Sequence, residues 1–133
     1  MLPPSKISGT HLEKAIISEG CIINASEIKR SIVGIRTRIG FDTAIENCYI
    51  MGSDNFQTLE QIDRAKANGT PIMGIGDRCR IKNAIIDKNC YIGNDVSINC
   101  GELLENGDYG NYTVQDGIVV VKKRAVIPNG TVI

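Results

Sequence analysis

Tryptophan is absent from the 133 residues, aromatic residues make up only 5%, and neither sign of charge is in excess. Lysine plus arginine and aspartate plus glutamate each total 15, so the formal net charge is zero. A nucleic-acid-binding surface announces itself by surplus basic charge, and no nucleic-acid partner is expected. The five cysteines, Cys21, Cys48, Cys79, Cys90 and Cys100, are odd in number and form no CxxC pair. A disulfide framework and a zinc site are therefore both poor readings, and buried free thiols in a reducing compartment are expected. Nowhere is there an apolar run of about 18 residues, so no membrane partner is expected. The start, Met1-Leu2-Pro3-Pro4-Ser5-Lys6, lacks the apolar centre of a signal peptide. Together these absences lead to the expectation of a soluble, cytoplasmic protein.

What is plentiful is isoleucine, valine and glycine (14 Gly), a profile of short strands joined by tight turns. The large aliphatics fall at Ile17, Ile23, Ile28, Val33, Ile39, Ile45 and Ile50, five or six residues apart. A second run is Ile75, Ile81, Ile86, Ile92 and Ile98, and a third is Val121, Ile127 and Ile133. Neither a helix nor an alternating strand has this period. One residue after the aliphatic stands a turn-compatible residue (Ser18, Gly34, Gly40, Gly76, Asp87, Gly93, Pro128). Four residues after it stands one of small or modest volume (Cys21, Thr37, Thr43, Cys79, Cys90, Val96, Ala125, Thr131). Such a repeat suits a triangular coil with three short parallel strands per turn. One aliphatic per strand points into a narrow prism, the small residue completes that layer, and the flexible residue makes the corner. On this reading Cys21, Cys79 and Cys90 are buried and inert.

Two stretches interrupt the pattern. From Met51 to Pro71 the chain turns polar, with Leu59, Ile62, Ala65 and Lys66 at helical spacing and Gly69-Thr70-Pro71 as a stop signal. This predicts a helical insertion over residues 54 to 68. From Gly101 to Asn111, with Glu102, Glu105 and Asp108, the reading is a surface loop. Catalytic chemistry is hard to find. Hexapeptide acyltransferases place a histidine between neighbouring subunits, whereas the one histidine here, His11, precedes the repeats. A single histidine also cannot supply the three imidazoles of a carbonic-anhydrase-type zinc site. With no base beside a nucleophile and no phosphate-cradling glycine loop, the chain is expected to be inactive on its own, with no catalytic residue, metal or cofactor.

Several words of the sequence match a known order. Leu2-Pro3-Pro4-Ser5-Lys6 resembles an interdomain linker, with residues 1 to 10 as its remnant. Ser31-Ile32-Val33-Gly34-Ile35-Arg36, Tyr49-Ile50-Met51-Gly52-Ser53-Asp54, Pro71-Ile72-Met73-Gly74-Ile75-Gly76 and Ala84-Ile85-Ile86-Asp87-Lys88-Asn89 follow. The ending runs from Asp116-Gly117-Ile118-Val119-Val120-Val121 to Gly130-Thr131-Val132-Ile133. Taken in order, these resemble the carboxy-terminal domain of glucose-1-phosphate adenylyltransferases (ADP-glucose pyrophosphorylases).

That resemblance implies an all-β left-handed parallel β-helix over residues 1 to 133. It also implies a separate catalytic nucleotidyltransferase domain, not present in this chain, which uses ATP and Mg²⁺ to make ADP-glucose for glycogen or starch synthesis. The implied role here is regulatory and oligomer-forming, within a homo- or hetero-tetramer, in the cytoplasm or, for a plant protein, the plastid. The implied ligands are small phosphorylated metabolites, such as 3-phosphoglycerate or fructose 1,6-bisphosphate as activators and phosphate or AMP as inhibitors. Lys88 and Lys123 match the family's two activator-binding lysines, and Asp87 matches an acidic neighbour. Lysine ammoniums are point charges suited to a phosphate dianion. Relatives carry paired arginines before Ala-Ile-Ile where this chain has Lys82-Asn83, and Arg78, Arg80 or Lys82 is expected to supply a third cationic contact. The alternative is a free-standing hexapeptide acyltransferase or scaffold.

Overall fold

The computed structural model describes residues 3–101 and 103–133; Leu2 of the linker-like start and Glu102 of the expected loop lie outside the described residues. The chain winds into a three-sided prism whose faces are parallel sheets. Face 1 stacks Lys6–Ile7, Ile22–Ile23, Arg38–Ile39, Gly74–Ile75, Tyr91–Ile92 and Val126–Ile127. Face 2 stacks His11–Glu13, Glu27–Lys29, Ala44–Glu46, Arg80–Lys82 and Ser97–Ile98. Face 3 stacks Ile16–Ile17, Ile32–Val33, Tyr49–Ile50, Ala84–Ile86 and Ile118–Val121. Each coil visits the faces in that order. Lys6–Ile7, read from the sequence as part of a linker, is a strand paired to Ile22–Ile23.

The register follows from the repeat. Ile23 pairs with Ile39, Ile39 with Ile75, Ile75 with Ile92 and Ile92 with Ile127, so one isoleucine is laid over the next up face 1. The aliphatics marked in the sequence form the core, all buried except Ile17 and Ile133, which lie in the two end coils and are partly buried. Burying each isoleucine contributes roughly 1.5–3 kcal/mol, and since a coil touches only its neighbours, these gains accumulate along the prism. At the first coil, where the inward Ile7 and Leu12 have no coil beneath them, both stay about two-fifths exposed (41% and 43%).

The small-residue slots are buried too, except Thr131 of the end coil, which is partly buried, and several are tied to the main chain. The Thr43 hydroxyl donates to the Gly76 carbonyl (2.7 Å) and accepts the Cys79 N–H (3.3 Å). The thiols of Cys21, Cys79 and Cys90 donate to the carbonyls of Gly34, Gly93 and Lys122. Burial pushes the Cys48 and Cys90 thiols up from the ordinary 9.0 to about 11, and raises Cys79 in the same direction. Cys100 departs from the expectation of buried thiols: it ends the last turn of face 2 and is exposed.

The corners also differ from expectation. The left-handed backbone residue falls three positions after the aliphatic at two of the edges, as in Ile39 to Asp42 and Ile86 to Asn89, and not one position after it. Among the described residues, seven of the twelve non-glycine residues with positive φ are Asn or Asp, the types that tolerate that region best. The glycines one position after the aliphatic serve a different purpose. A Cβ on Gly34 would overlap the Met51 carbonyl of the next coil, and one on Gly93 would sit 2.8 Å from the Asn129 nitrogen. Close stacking of coils, and not turn flexibility, excludes a side chain there.

Within the stretch expected to be helical, the helix spans Leu59–Asn68. Thr58 starts it through a capping box with Gln61, and Gly69 ends it in the left-handed conformation. The loop expected over residues 101 to 111 is partly a hairpin extension. Gly107–Asp108 pairs antiparallel with Tyr112–Gln115, which pairs antiparallel with Ile118–Val121 across an Asp116-Gly117 turn. This extension covers the last edge of face 3.

Candidate functional site

Stacking brings corner residues into columns, and the columns decide which charges meet. Ile86 pairs with Val121, so the corner Asp87-Lys88-Asn89 lies directly under Lys122-Lys123-Arg124 at the edge between faces 3 and 1. Main-chain bonds fix this alignment: Asn89 N–H donates to the Gly52 carbonyl (3.1 Å) and Arg124 N–H to the Lys88 carbonyl (3.0 Å). Lys88 and Lys123, 35 residues apart in sequence, are thereby one coil apart, about 4.8 Å along the stack. Asp87 is at the same corner, its carboxylate accepting the Lys88 N–H (2.7 Å).

Asp54, on the segment that leaves the prism toward the helix, faces the same corner. Lys88 Nζ donates to its Oδ1 (3.1 Å) and Asn89 Nδ2 to its Oδ2 (3.2 Å), while Asp54 N–H donates to Asn89 Oδ1 (2.9 Å). The Lys88 ammonium and the Asn89 amide hold the Asp54 carboxyl below the usual carboxylate range, and the charge of Lys123 adds to this. Lys122 turns to Asp108 of the hairpin (2.8 Å). Among the described residues, Lys123 and Arg124 form no ion pair and both are exposed. On the coil below Asp54, Arg36 donates to the Ser53 carbonyl (3.2 Å) and lies over the Phe56 ring.

The other three basic residues named from the sequence are not brought to this edge. Arg78 stands at the edge between faces 1 and 2, clamped on both oxygens of Asp95 (2.8 and 3.1 Å). Arg80 and Lys82 are on the outward side of face 2. Lys82 continues a register column of alternating charge, Glu13, Lys29, Glu46, Lys82, in which its ammonium lies 3.9 Å from Glu46. Sequence reasoning missed Asp54 and Asn89 as members of the site. Asp54 was legible only as a letter of a family word, because nothing local shows that residue 54 returns to residue 88.

The edge gathers the Lys88, Lys123 and Arg124 cations and the Asn89 amide around one corner. Among the described residues it has no histidine, and the neighbouring thiol, Cys90, is buried and pushed up to about 11. Among the described residues no group of three or more His, Cys, Asp or Glu side chains could hold a metal ion. Among the described residues no helix is long and apolar enough to cross a membrane. Elsewhere, a cleft of about 280 Å³ separates the excursion, at Lys66 and Thr70 to Ile72, from face 1 at Phe41 and Asn94. Two of its amide side chains are engaged in the coil stack, the Asn129 and Asn94 oxygens each accepting a main-chain N–H.

A three-sided parallel coil with one aliphatic per side and a cationic edge defines a hexapeptide-type β-helix, a class that serves several kinds of protein. The sequence places it within that class: residues 1–132 match the GLGC left-handed parallel beta-helix domain, and the chain belongs to that family. It is also similar to an Arabidopsis thaliana protein described as an inactive glucose-1-phosphate adenylyltransferase small subunit 2, chloroplastic. The two are 38% identical over 136 residues, covering 99% of this chain and 29% of that protein. The chain thus spans less than a third of the length of this curated relative.

Proposed function

We propose that this chain serves as the regulatory and oligomer-forming β-helix of a glucose-1-phosphate adenylyltransferase, binding phosphate-ester effectors at the edge between faces 3 and 1. The observation that carries the reading is the stacking of Lys88 on Lys123, with Arg124 beside them and the Asp54 carboxylate on the Lys88 ammonium. Two lysines whose main chains are one coil apart can converge on one phosphate dianion, which accepts hydrogen bonds on several oxygens at once. Exposure suits reversible binding by a metabolite present at high concentration.

On this reading ATP, glucose 1-phosphate and Mg²⁺ are handled by a catalytic domain elsewhere in the longer protein, and no step is routed through them here. The effectors are glycolytic phosphates or inorganic phosphate, the assembly is a tetramer, and the compartment is cytoplasm or plastid. The relative described as chloroplastic supports the plastid option. Its description as inactive bears on catalysis, whereas the function proposed for this domain is binding.

The test is to replace Lys88 and Lys123 by Ala, singly, in the full-length protein. Each change is expected to raise the 3-phosphoglycerate or fructose 1,6-bisphosphate concentration for half-maximal effect at least about tenfold, as loss of a charge-assisted contact does. The apparent affinity for ATP should stay within about twofold. Unchanged effector response in both variants would remove the edge from the regulatory site.

A further inference from the structure

Both oxygens of the Asp54 carboxylate are already held by the groups that an incoming phosphate would need. Lys88 occupies Oδ1 at 3.1 Å and Asn89 occupies Oδ2 at 3.2 Å. The Asp54 main-chain N–H is fixed on the Asn89 side-chain oxygen at 2.9 Å, so the carboxylate is presented to this cradle and is not a free-swinging neighbour. Asp54 is exposed, and it begins the excursion that carries the helix Leu59–Asn68. The cradle is therefore an anion site with an anion from the chain itself inside it.

We infer that Asp54 is a built-in competitor for the phosphate-ester site: it occupies Lys88 and Asn89 when no effector is bound, and an effector binds by displacing it. The inference rests on the function proposed above and adds its regulation. A carboxylate brings one negative charge to the cradle. A phosphate monoester at neutral pH brings nearly two and has three acceptor oxygens, so it wins the exchange only when concentrated enough. Lys123 favours the exchange, since it is one coil from Lys88 and is unpaired among the described residues. Displacement also frees the start of the excursion from the corner. Effector binding and the position of residues 54–58 then become linked, because binding a ligand that prefers one arrangement shifts the balance toward it.

The experiment is a titration of the chain with inorganic phosphate, followed by ¹⁵N–¹H correlation spectra, for wild type, Asp54→Asn, Asp54→Ala and the double variant Lys88→Ala/Lys123→Ala. Removing the competitor is expected to tighten phosphate binding at least about fivefold in both Asp54 variants, and the double lysine variant is expected to lose binding. Amides of residues 54–58 should shift on phosphate addition in wild type, toward their positions in Asp54→Ala. Phosphate affinity that is equal or weaker in both Asp54 variants, with binding still lost in the lysine variant, overturns the competitor and leaves the effector edge standing. Phosphate binding that survives loss of both lysines, or is absent from every variant, overturns the edge itself and the competitor with it. Because Asp54 is exposed and outside the coils, both substitutions should keep the fold, and unchanged amide positions on faces 1 and 2 verify this.

Discussion

At the edge between faces 1 and 2, Arg78 stands in a column between Asp42 and Asp95 and is clamped to the latter, so charge alternates up the stack. At the edge between faces 3 and 1, Lys88 lies under Lys123 and Asn89 under Arg124, with Asp54 reaching in from the side. Both edges have the same backbone geometry, left-handed corners and close-stacked glycines. They differ in whether the cation's partner is part of the stack. Where it is, the edge is electrostatically complete. Where it is borrowed from a neighbouring segment, Lys123 and Arg124 are left without an ion pair among the described residues.

The largest effects are expected in the scaffold that both edges share. Gly34→Val at one edge and Gly76→Val at the other are each expected to cost about 3 kcal/mol or more, because a side chain would strike the next coil's backbone. Equal losses in denaturant melts would show that the edges do not differ in packing; full stability in either variant would contradict the coil-contact account.

The buried thiols give the next largest effect: Cys90 lies behind the edge between faces 3 and 1, and Cys48 behind the edge between faces 2 and 3. Cys48 and Cys90 have folded-state values of about 11 against the ordinary 9.0. A raised value means that the folded chain holds the proton more tightly. Their contribution, on the order of 2 kcal/mol each, is thus complete below pH 9 and disappears as pH rises through about 11. Melts between pH 8 and 11 should show that decline, and Cys100, exposed, should react with a thiol reagent long before the other four.

Smallest of all should be the effect of Arg78→Ala. An exposed ion pair is of little account, so Tm should fall by less than about 4 °C and anion affinity should not change. Loss of anion binding in Arg78→Ala would erase the distinction between the edges.

The coil itself was legible because its signal is local. A five- or six-residue step in the aliphatics located nearly every buried position, and Thr43, Cys79 and Cys90 fell into slots whose size the repeat dictates. The corner position was misread, since Gly34 and Gly93 look like turn glycines although their neighbours, and not their φ, require them. The hairpin after residue 106 had a sequence signal, Asp116-Gly117 between Tyr112–Gln115 and Ile118–Val121, hidden by reading residues 101 to 111 as plain loop. The edge was only half legible. Family resemblance marked Lys88 and Lys123, but their meeting depends on register across an inserted hairpin, and that of Asp54 with Lys88 depends on register across a helix. The same register sends Arg78, Arg80 and Lys82 to other sides of the prism, although they are closer to Lys88 in sequence than Lys123 is.

The central claim is that one edge, and not the other, takes up phosphate, and amide shifts during titration with inorganic phosphate test it most directly. Saturable shifts are expected at residues 87–89 and 122–124, with residues 77–80 and 94–96 unmoved. Shifts at the Arg78 edge of equal size, or spread evenly over all basic residues, would contradict it.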